Sequence, residues 1–195
     1  VVDLQNDFCP GGNLAVPNGN EIVPIINKLI SYYRSIVFTQ DWHPASHSSF
    51  ASTHNKTPYD TVELSYGSQT LWPDHCIQGT HGANFHKDIK FDRADLIIRK
   101  GFDTEIDSYS AFRENDKKTF TGLSGYLNER KIQELVICGL AYDYCVKWTA
   151  LDAKTNGFRT VVIENACRSI NLNNSEESAR NEMQKSGIHL VNCDL

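Results

Sequence analysis

The stretch ELVICGLAYDYCVKWTALDAKTNGFRTVVIEN, residues 134–165, decides how this chain folds. ELVICGL (134–140) is apolar after its first residue, the pattern of a strand buried on both faces. YCVKWTALDAKTN (144–156) reads as a helix, and Gly157 behind it supplies the stop. FRTVVIEN (158–165) is rich in β-branched residues and reads as a second strand. A strand, a helix and a strand in that order form a βαβ unit, whose two strands must run parallel because the helix carries the chain back.

The same alternation continues outward. The run 1–4 (VVDL) reads as a strand, 20–34 (NEIVPIINKLISYYR) as a helix, and 35–40 (SIVFTQ) as a second strand. Ile22, Ile25, Ile26, Leu29 and Ile30 mark the apolar face of that helix, and Pro24 fits only in its first turn. Residues 43–94 are rich in Pro, Gly, His and Ser and read as loops, followed by a strand at 95–100 (DLIIRK) and a short helix at 123–131. Downstream, 174–186 reads as a helix with a capping box from Asn174 to Glu177 and Gly187 as its stop, and 188–192 as a last strand. The order predicts an α/β fold, a mostly parallel central sheet with helices on both faces.

A length of 195 residues favours one domain, 1–195. The chain is 40% hydrophobic and 22% charged, as globular proteins are, with a formal net charge of −5 and no basic cluster. Nucleic acid is therefore not expected as a partner. No apolar run approaches membrane-spanning length and no signal-peptide pattern opens the chain, so a cytoplasmic protein with no membrane partner is expected. The chain opens on VVDLQNDF without a methionine, which suggests that the first strand begins upstream of Val1. Cys9, Cys76, Cys138, Cys145, Cys167 and Cys193 form no C-x-x-C pair, and reduced thiols are expected, with one of them catalytic.

In a parallel sheet, ligands bind beyond the carboxyl ends of the strands. Asp3 ends the first strand, Asp41 and His43 follow the second, Lys100 ends the third, and Cys145 follows ELVICGL. A cysteine at the start of a helix meets unpaired N–H groups and partial positive charge, and a lysine would lower its pKa further. A carboxylate that takes the thiol proton completes a nucleophile–base pair, and N–H groups of the strand–helix turn could hold an oxyanion. Taken singly, Asp3 is also readable as a turn residue, Lys100 as a solvated lysine and Cys145 as a core thiol. In QDWHPASHSSF (40–50), Asp41 and His43 are two apart, so an extended segment presents both to one metal ion. His47, and His75 from WPDHC (72–76), are further ligand candidates, while His54, His81 and His86 read as surface histidines. The aromatic residues Phe8, Trp42, Trp72 and Tyr109 could wall a pocket for a flat ring, although Trp42 is better read as core.

Five blocks, VVDLQNDFCPGGNLAVPNG, TQDWHPASHSSFAS, LWPDHCIQGTHGA, KGFDTEIDSYSAF and GLAYDYCVKWTALDA, occur in this order along nearly the whole chain. Together they resemble the nicotinamidases (also called pyrazinamidases) of the isochorismatase-like hydrolase superfamily. The resemblance implies a three-layer α/β/α sandwich and the conversion of nicotinamide to nicotinate and ammonia through a cysteine thioester, a step in NAD salvage, with pyrazinamide as a second substrate. It implies Cys145 as nucleophile, Asp3 as proton acceptor and donor, and Lys100 as the group holding both in register. The N–H groups of Ala141 and Cys145 would form the oxyanion hole, with a cis peptide before Ala141. Asp41, His43 and His75 match ligands of one divalent metal ion, zinc first and iron or manganese as alternatives. His47 matches a position that is a ligand in some members only. That ion would bind the pyridine nitrogen of the substrate. Phe8, Leu14, Trp72, Tyr109 and Tyr144 would line the substrate pocket. Tyr142 departs from the threonine expected at its place.

Two other readings share parts of this pattern. Another small-substrate hydrolase of the superfamily would keep Asp3, Lys100 and Cys145, and a silent metal-binding module would have no physical need for that trio. A papain-like protease would require a histidine partnered to the cysteine, and the layout offers none. Homo-oligomerisation is left open by the sequence.

Overall fold

The computed structural model describes residues 1–194. Its centre is a set of parallel strands. β1 (Val37–Asp41) pairs parallel with β4 (Leu96–Lys100), while β5 (Glu134–Leu140), β6 (Arg159–Arg168) and β7 (His189–Val191) form a second parallel group in that order. Val1 and Val2 join the two groups. Val1 donates to the Val37 carbonyl (2.8 Å) and accepts from Thr39 N–H (3.0 Å). Val2 donates to Cys138 (2.8 Å) and accepts from Leu140 (2.9 Å). The spatial order is thus β4, β1, the chain start, β5, β6 and β7.

The predicted first strand is shorter than 1–4. At Asp3 the backbone turns to a left-handed conformation (φ 44°), and the chain leaves the sheet there. Gly139 explains how the chain start fits. It has φ 127°, and a Cβ at this position would run into the Val2 backbone. Only glycine allows that approach.

α1 (Val23–Tyr32) follows a short 3₁₀ turn, with Pro24 in its first turn as expected. α2 (Leu123–Glu129) precedes β5. The helix after β5 begins as a π-helical turn (Tyr142–Val146) and continues as α3 (Lys147–Thr155). α4 (Ser175–Lys185) leads to β7, and α3 and α4 pack on each other. Gly157 and Gly187 take positive φ values after α3 and α4, as the sequence reading requires. The capping box does not form: Asn174 is itself left-handed (φ 63°), and its Nδ2 donates to the Glu177 carboxylate (2.7 Å) instead of a side chain capping the backbone.

The long segment read as loops contains an antiparallel hairpin, β2 (Thr61–Leu64) with β3 (Gly67–Thr70). Its one buried residue, Gln69, is polar and the rest are half-buried or exposed, so no apolar stripe announces it. Phe38, Leu4, Leu140, Ile26, Val162, Ala150 and Met183 are fully buried in the core between sheet and helices. Trp42 packs at its edge, with the Arg99 guanidinium 3.8 Å above its ring. All six cysteines are free thiols, five buried and Cys193 half-buried. Among the described residues no helix is long and apolar enough to cross a membrane.

Candidate active site

The carboxyl ends of three neighbouring strand positions meet at Lys100. This lysine is fully buried at the last position of β4, directly opposite Asp41 at the end of β1. Its ammonium pairs with Asp41 Oδ1, lies 2.8 Å from Asp3 Oδ2, donates to the Ser108 carbonyl (3.0 Å) and lies 3.4 Å from Cys145 Sγ. Asp3 is oriented by Thr39, whose hydroxyl donates to Asp3 Oδ1 (2.5 Å). Asp3 Oδ2 is buried and in ionic contact with Lys100.

Burial acts on these groups in opposite directions. Burial and the Asp41 charge lift the Asp3 carboxyl above its ordinary range, against the pull of Lys100. Burial opposes the charge of Asp41 too, but Lys100, His43 and His75 hold its carboxyl well below the usual range. Burial pushes the Cys145 thiol well above its ordinary value, with Lys100 pulling it down and Asp3 and Asp41 pushing it up. The lysine expected near the thiol is there, and two carboxylates share its charge.

Asp41 Oδ2 lies 3.6 Å from His43 Nε2 and 3.7 Å from His75 Nε2, and all three side chains are buried. Each of these imidazoles has its other nitrogen against a backbone carbonyl. His43 Nδ1 meets Gly101 O and His75 Nδ1 meets Pro73 O, both at 2.8 Å. A carbonyl only accepts, so both Nδ1 atoms carry the hydrogen and both Nε2 lone pairs face Asp41. Two imidazole nitrogens and one carboxylate, already oriented, are a donor set that fits a borderline divalent ion. Gly101, with φ 65°, packs against the His43 ring where a side chain would not fit.

His47 is built differently. Its Nδ1 accepts the Ser49 N–H (3.2 Å), which puts the hydrogen on Nε2, 3.4 Å from the Ile106 carbonyl. It groups with His43 and Asp107 and not with Asp41 and His75. Burial lowers its pKa to about 4, so the ring is neutral.

A small cavity of about 20 Å³ opens between the two clusters. Phe8, Leu14, Trp72, Tyr109 and Tyr144 all line it, together with Ala141 and Cys145. Trp72 meets Tyr144 edge-on (centroids 4.8 Å apart), and Tyr109 OH accepts from Trp72 Nε1 (3.2 Å) and Gln69 Nε2 (3.1 Å). Ile170 and Asp107 also line it and carried no signal in the sequence; Ile170 sits behind strand β6 in a segment with no motif. A larger cavity, about 350 Å³, lies beside Val1 between β1 and β5 and is lined mainly by apolar side chains, away from this chemistry.

The turn after β5 completes the site. The Leu140–Ala141 peptide is cis, and the Ala141 carbonyl accepts the N–H groups of Tyr144 and Val146 (3.1 Å each), which wraps the π-helical turn around it. Cys145 thereby stands at the helix start, facing Lys100. Tyr142, at the place where threonine was expected, points its hydroxyl at Glu164 (2.7 Å).

A buried cysteine, carboxylate and lysine on the ends of a parallel sheet define a cysteine hydrolase of the α/β class, and residues 1–194 match the isochorismatase domain: the chain belongs to the isochorismatase family. Within that family its similarity runs to nicotinamidases. It is 53% identical to the nicotinamidase of Acinetobacter baylyi, covering 98% of this chain and 90% of that protein. A solved nicotinamidase/pyrazinamidase of Acinetobacter baumanii superposes with a TM-score of 0.97 at 56% identity, covering 98% of this chain and 93% of that one. The pyrazinamidase of Pyrococcus horikoshii, solved in complex with zinc, superposes with a TM-score of 0.81 at 36% identity over 99% and 97% of the two chains.

Proposed function

We propose that this chain hydrolyses nicotinamide to nicotinate and ammonia through a thioester on Cys145, and that it deamidates pyrazinamide in the same pocket. The observation that carries the reading is the convergence of Asp3, Lys100 and Cys145 beside the Asp41–His43–His75 cluster at one small aromatic cavity. Its relatives' activity and the zinc in the Pyrococcus structure support it.

In this mechanism Asp3 takes the Cys145 proton as the sulfur attacks the amide carbon. Asp3 and Cys145 lie in one buried cluster, so the thiol proton has an acceptor at hand. Lys100 stays charged throughout, since Asp3 and Asp41 raise its pKa well above the ordinary value against burial. It offsets whichever negative charge, on Asp3 or on sulfur, is present at each stage. The N–H groups of Ala141 and Cys145 hold the oxyanion. Asp3 returns its proton to the departing ammonia, then takes one from the water that opens the thioester. Phe8, Trp72, Tyr109 and Tyr144 sandwich the ring and exclude bulk water, with Leu14 at the edge.

Asp41, His43 and His75 would hold one divalent ion, zinc by donor set. When bound, it supplies a Lewis-acid anchor for the pyridine nitrogen, so it orients the substrate and does not generate the nucleophile. His47, with its Nε2 hydrogen on Ile106, is outside this proposed ligand set.

The test is ammonia release from nicotinamide by the reduced, purified protein, before and after chelation and re-metallation. Release that falls on chelation and returns with zinc supports both the substrate and the metal cluster. No release from a fully metallated, reduced sample overturns the substrate assignment.

A further inference from the structure

Two residues before Cys145, the buried carboxylate of Asp143 has no part in the mechanism above, and it makes three bonds to one distant segment. Its Oδ1 accepts the Ile170 N–H (3.1 Å), and its Oδ2 accepts the Asn171 N–H (2.8 Å) and the Ser175 hydroxyl (2.6 Å). Asp143 is 1% exposed. The segment it grips runs through a distorted 3₁₀ turn (Leu172–Asn174) to Ser175, the first residue of α4. It follows the end of β6, and Asn171, Asn173 and Asn174 all take left-handed backbone conformations. Two consecutive backbone N–H groups of this irregular segment thus rest on a single side chain. Ile170, one of the pair, lines the substrate cavity beside Tyr144 and Cys145.

We propose that Asp143 is a positioning residue that clamps Ile170 against the substrate pocket, so that the turn carrying the nucleophile also sets the opposite wall. The clamp rests on the nicotinamide reading above for its substrate, but not for its geometry. An Ile170 wall touches the ring alike in the ground and transition states. Its displacement therefore raises KM and leaves kcat nearly untouched, which separates it from a defect in the reacting groups.

Asp143→Asn keeps the size of the side chain and presents an NH₂ where one of the N–H donors now points. In the zinc-loaded full chain, it is expected to raise KM for nicotinamide about tenfold with kcat within about threefold. Ile170→Ala is expected to raise KM similarly, and the double variant to be no worse than Ile170→Ala alone, because both act through one contact. A KM within about twofold of the parent for Asp143→Asn, or effects that multiply in the double variant, would overturn the clamp. If Asp143→Asn does not accumulate in folded form, Ser175→Ala removes one of the three bonds and leaves both backbone bonds. It is expected to raise KM about threefold, again only when Ile170 is present, and an unchanged KM counts against the proposal.

A second readout does not need turnover. Alkylation of Cys145 by iodoacetamide, followed by peptide mass spectrometry, reports access through the same wall. Asp143→Asn and Ile170→Ala are expected to speed it equally and non-additively. If the parent protein releases no ammonia from nicotinamide, the reaction is wrong, and the alkylation series alone then decides the clamp: unchanged or additive rates refute it.

Discussion

Lys100 Nζ stands 3.4 Å from Cys145 Sγ, and the same ammonium also serves Asp3 at 2.8 Å and Asp41. One ammonium thus faces two carboxylates and the sulfur at once. In the proposed mechanism Asp3 is the group that takes the thiol proton.

Cys145→Ala should cut turnover by at least about a thousandfold while nicotinate binding and metal content stay near those of the parent. Steady-state kinetics with metal analysis on the same sample checks this. Near-normal activity would remove Cys145 from the nucleophile role.

Lys100→Met keeps the length of the side chain and removes the charge, leaving Asp3 and Asp41 facing each other in a dry site. Breaking a buried ion pair in this way costs about 3–5 kcal/mol. Denaturant unfolding should show a loss of that order, together with a collapse of kcat. A variant as stable as the parent would mean that one carboxylate gains a proton at no cost.

The metal cluster and His47 separate cleanly in experiment. His43→Ala or His75→Ala should lower bound zinc well below one per chain after dialysis, since each removes an imidazole whose Nε2 faces Asp41. His47→Ala should leave zinc content unchanged. Zinc loss in the His47 variant would show that this ring turns over to join the site.

The pH profile of kcat/KM should fall on the acid side with an apparent pKa above 3.8, because burial raises the Asp3 carboxyl and protonated Asp3 cannot take the thiol proton. No alkaline loss is expected near the ordinary thiol range, since the Cys145 pKa is raised well above 9.0. The measurement needs zinc in excess, so that acid release of metal does not produce the limb.

Glu114 gives a test read in stability and not in turnover. It is 1% exposed with Oε2 unpartnered, and burial lifts its pKa from 4.5 to about 7. The folded protein then binds more protons than the unfolded chain between those values, so stability falls as pH rises from about 4.5 to about 7. The full span corresponds to about 3 kcal/mol. Glu114→Gln should be nearly neutral at pH below that window and stabilising above it, read from urea midpoints across pH.

The chain's own order of apolar runs determined much of this. Continuous runs such as 134–140 mark buried parallel strands because both faces must be apolar, and β5 spans those very residues. Because strand ends gather in such a sheet, Asp3, Asp41, Lys100 and Cys145 could be named as neighbours before any contact was known. The hairpin at 61–70 was not legible, since a half-exposed ribbon needs no apolar stripe. The capping box at Asn174 failed because the preceding residues turn left-handed to meet Asp143, a demand set by a distant side chain. Local sequence determines which chemistry is present and on which elements it sits. Only tertiary structure decided the direction of each pKa shift, because a pKa depends on burial and on every charge within a few ångströms. It likewise decided which imidazole nitrogens face Asp41, and that Ile170 closes the pocket through a carboxylate 27 positions away in the chain.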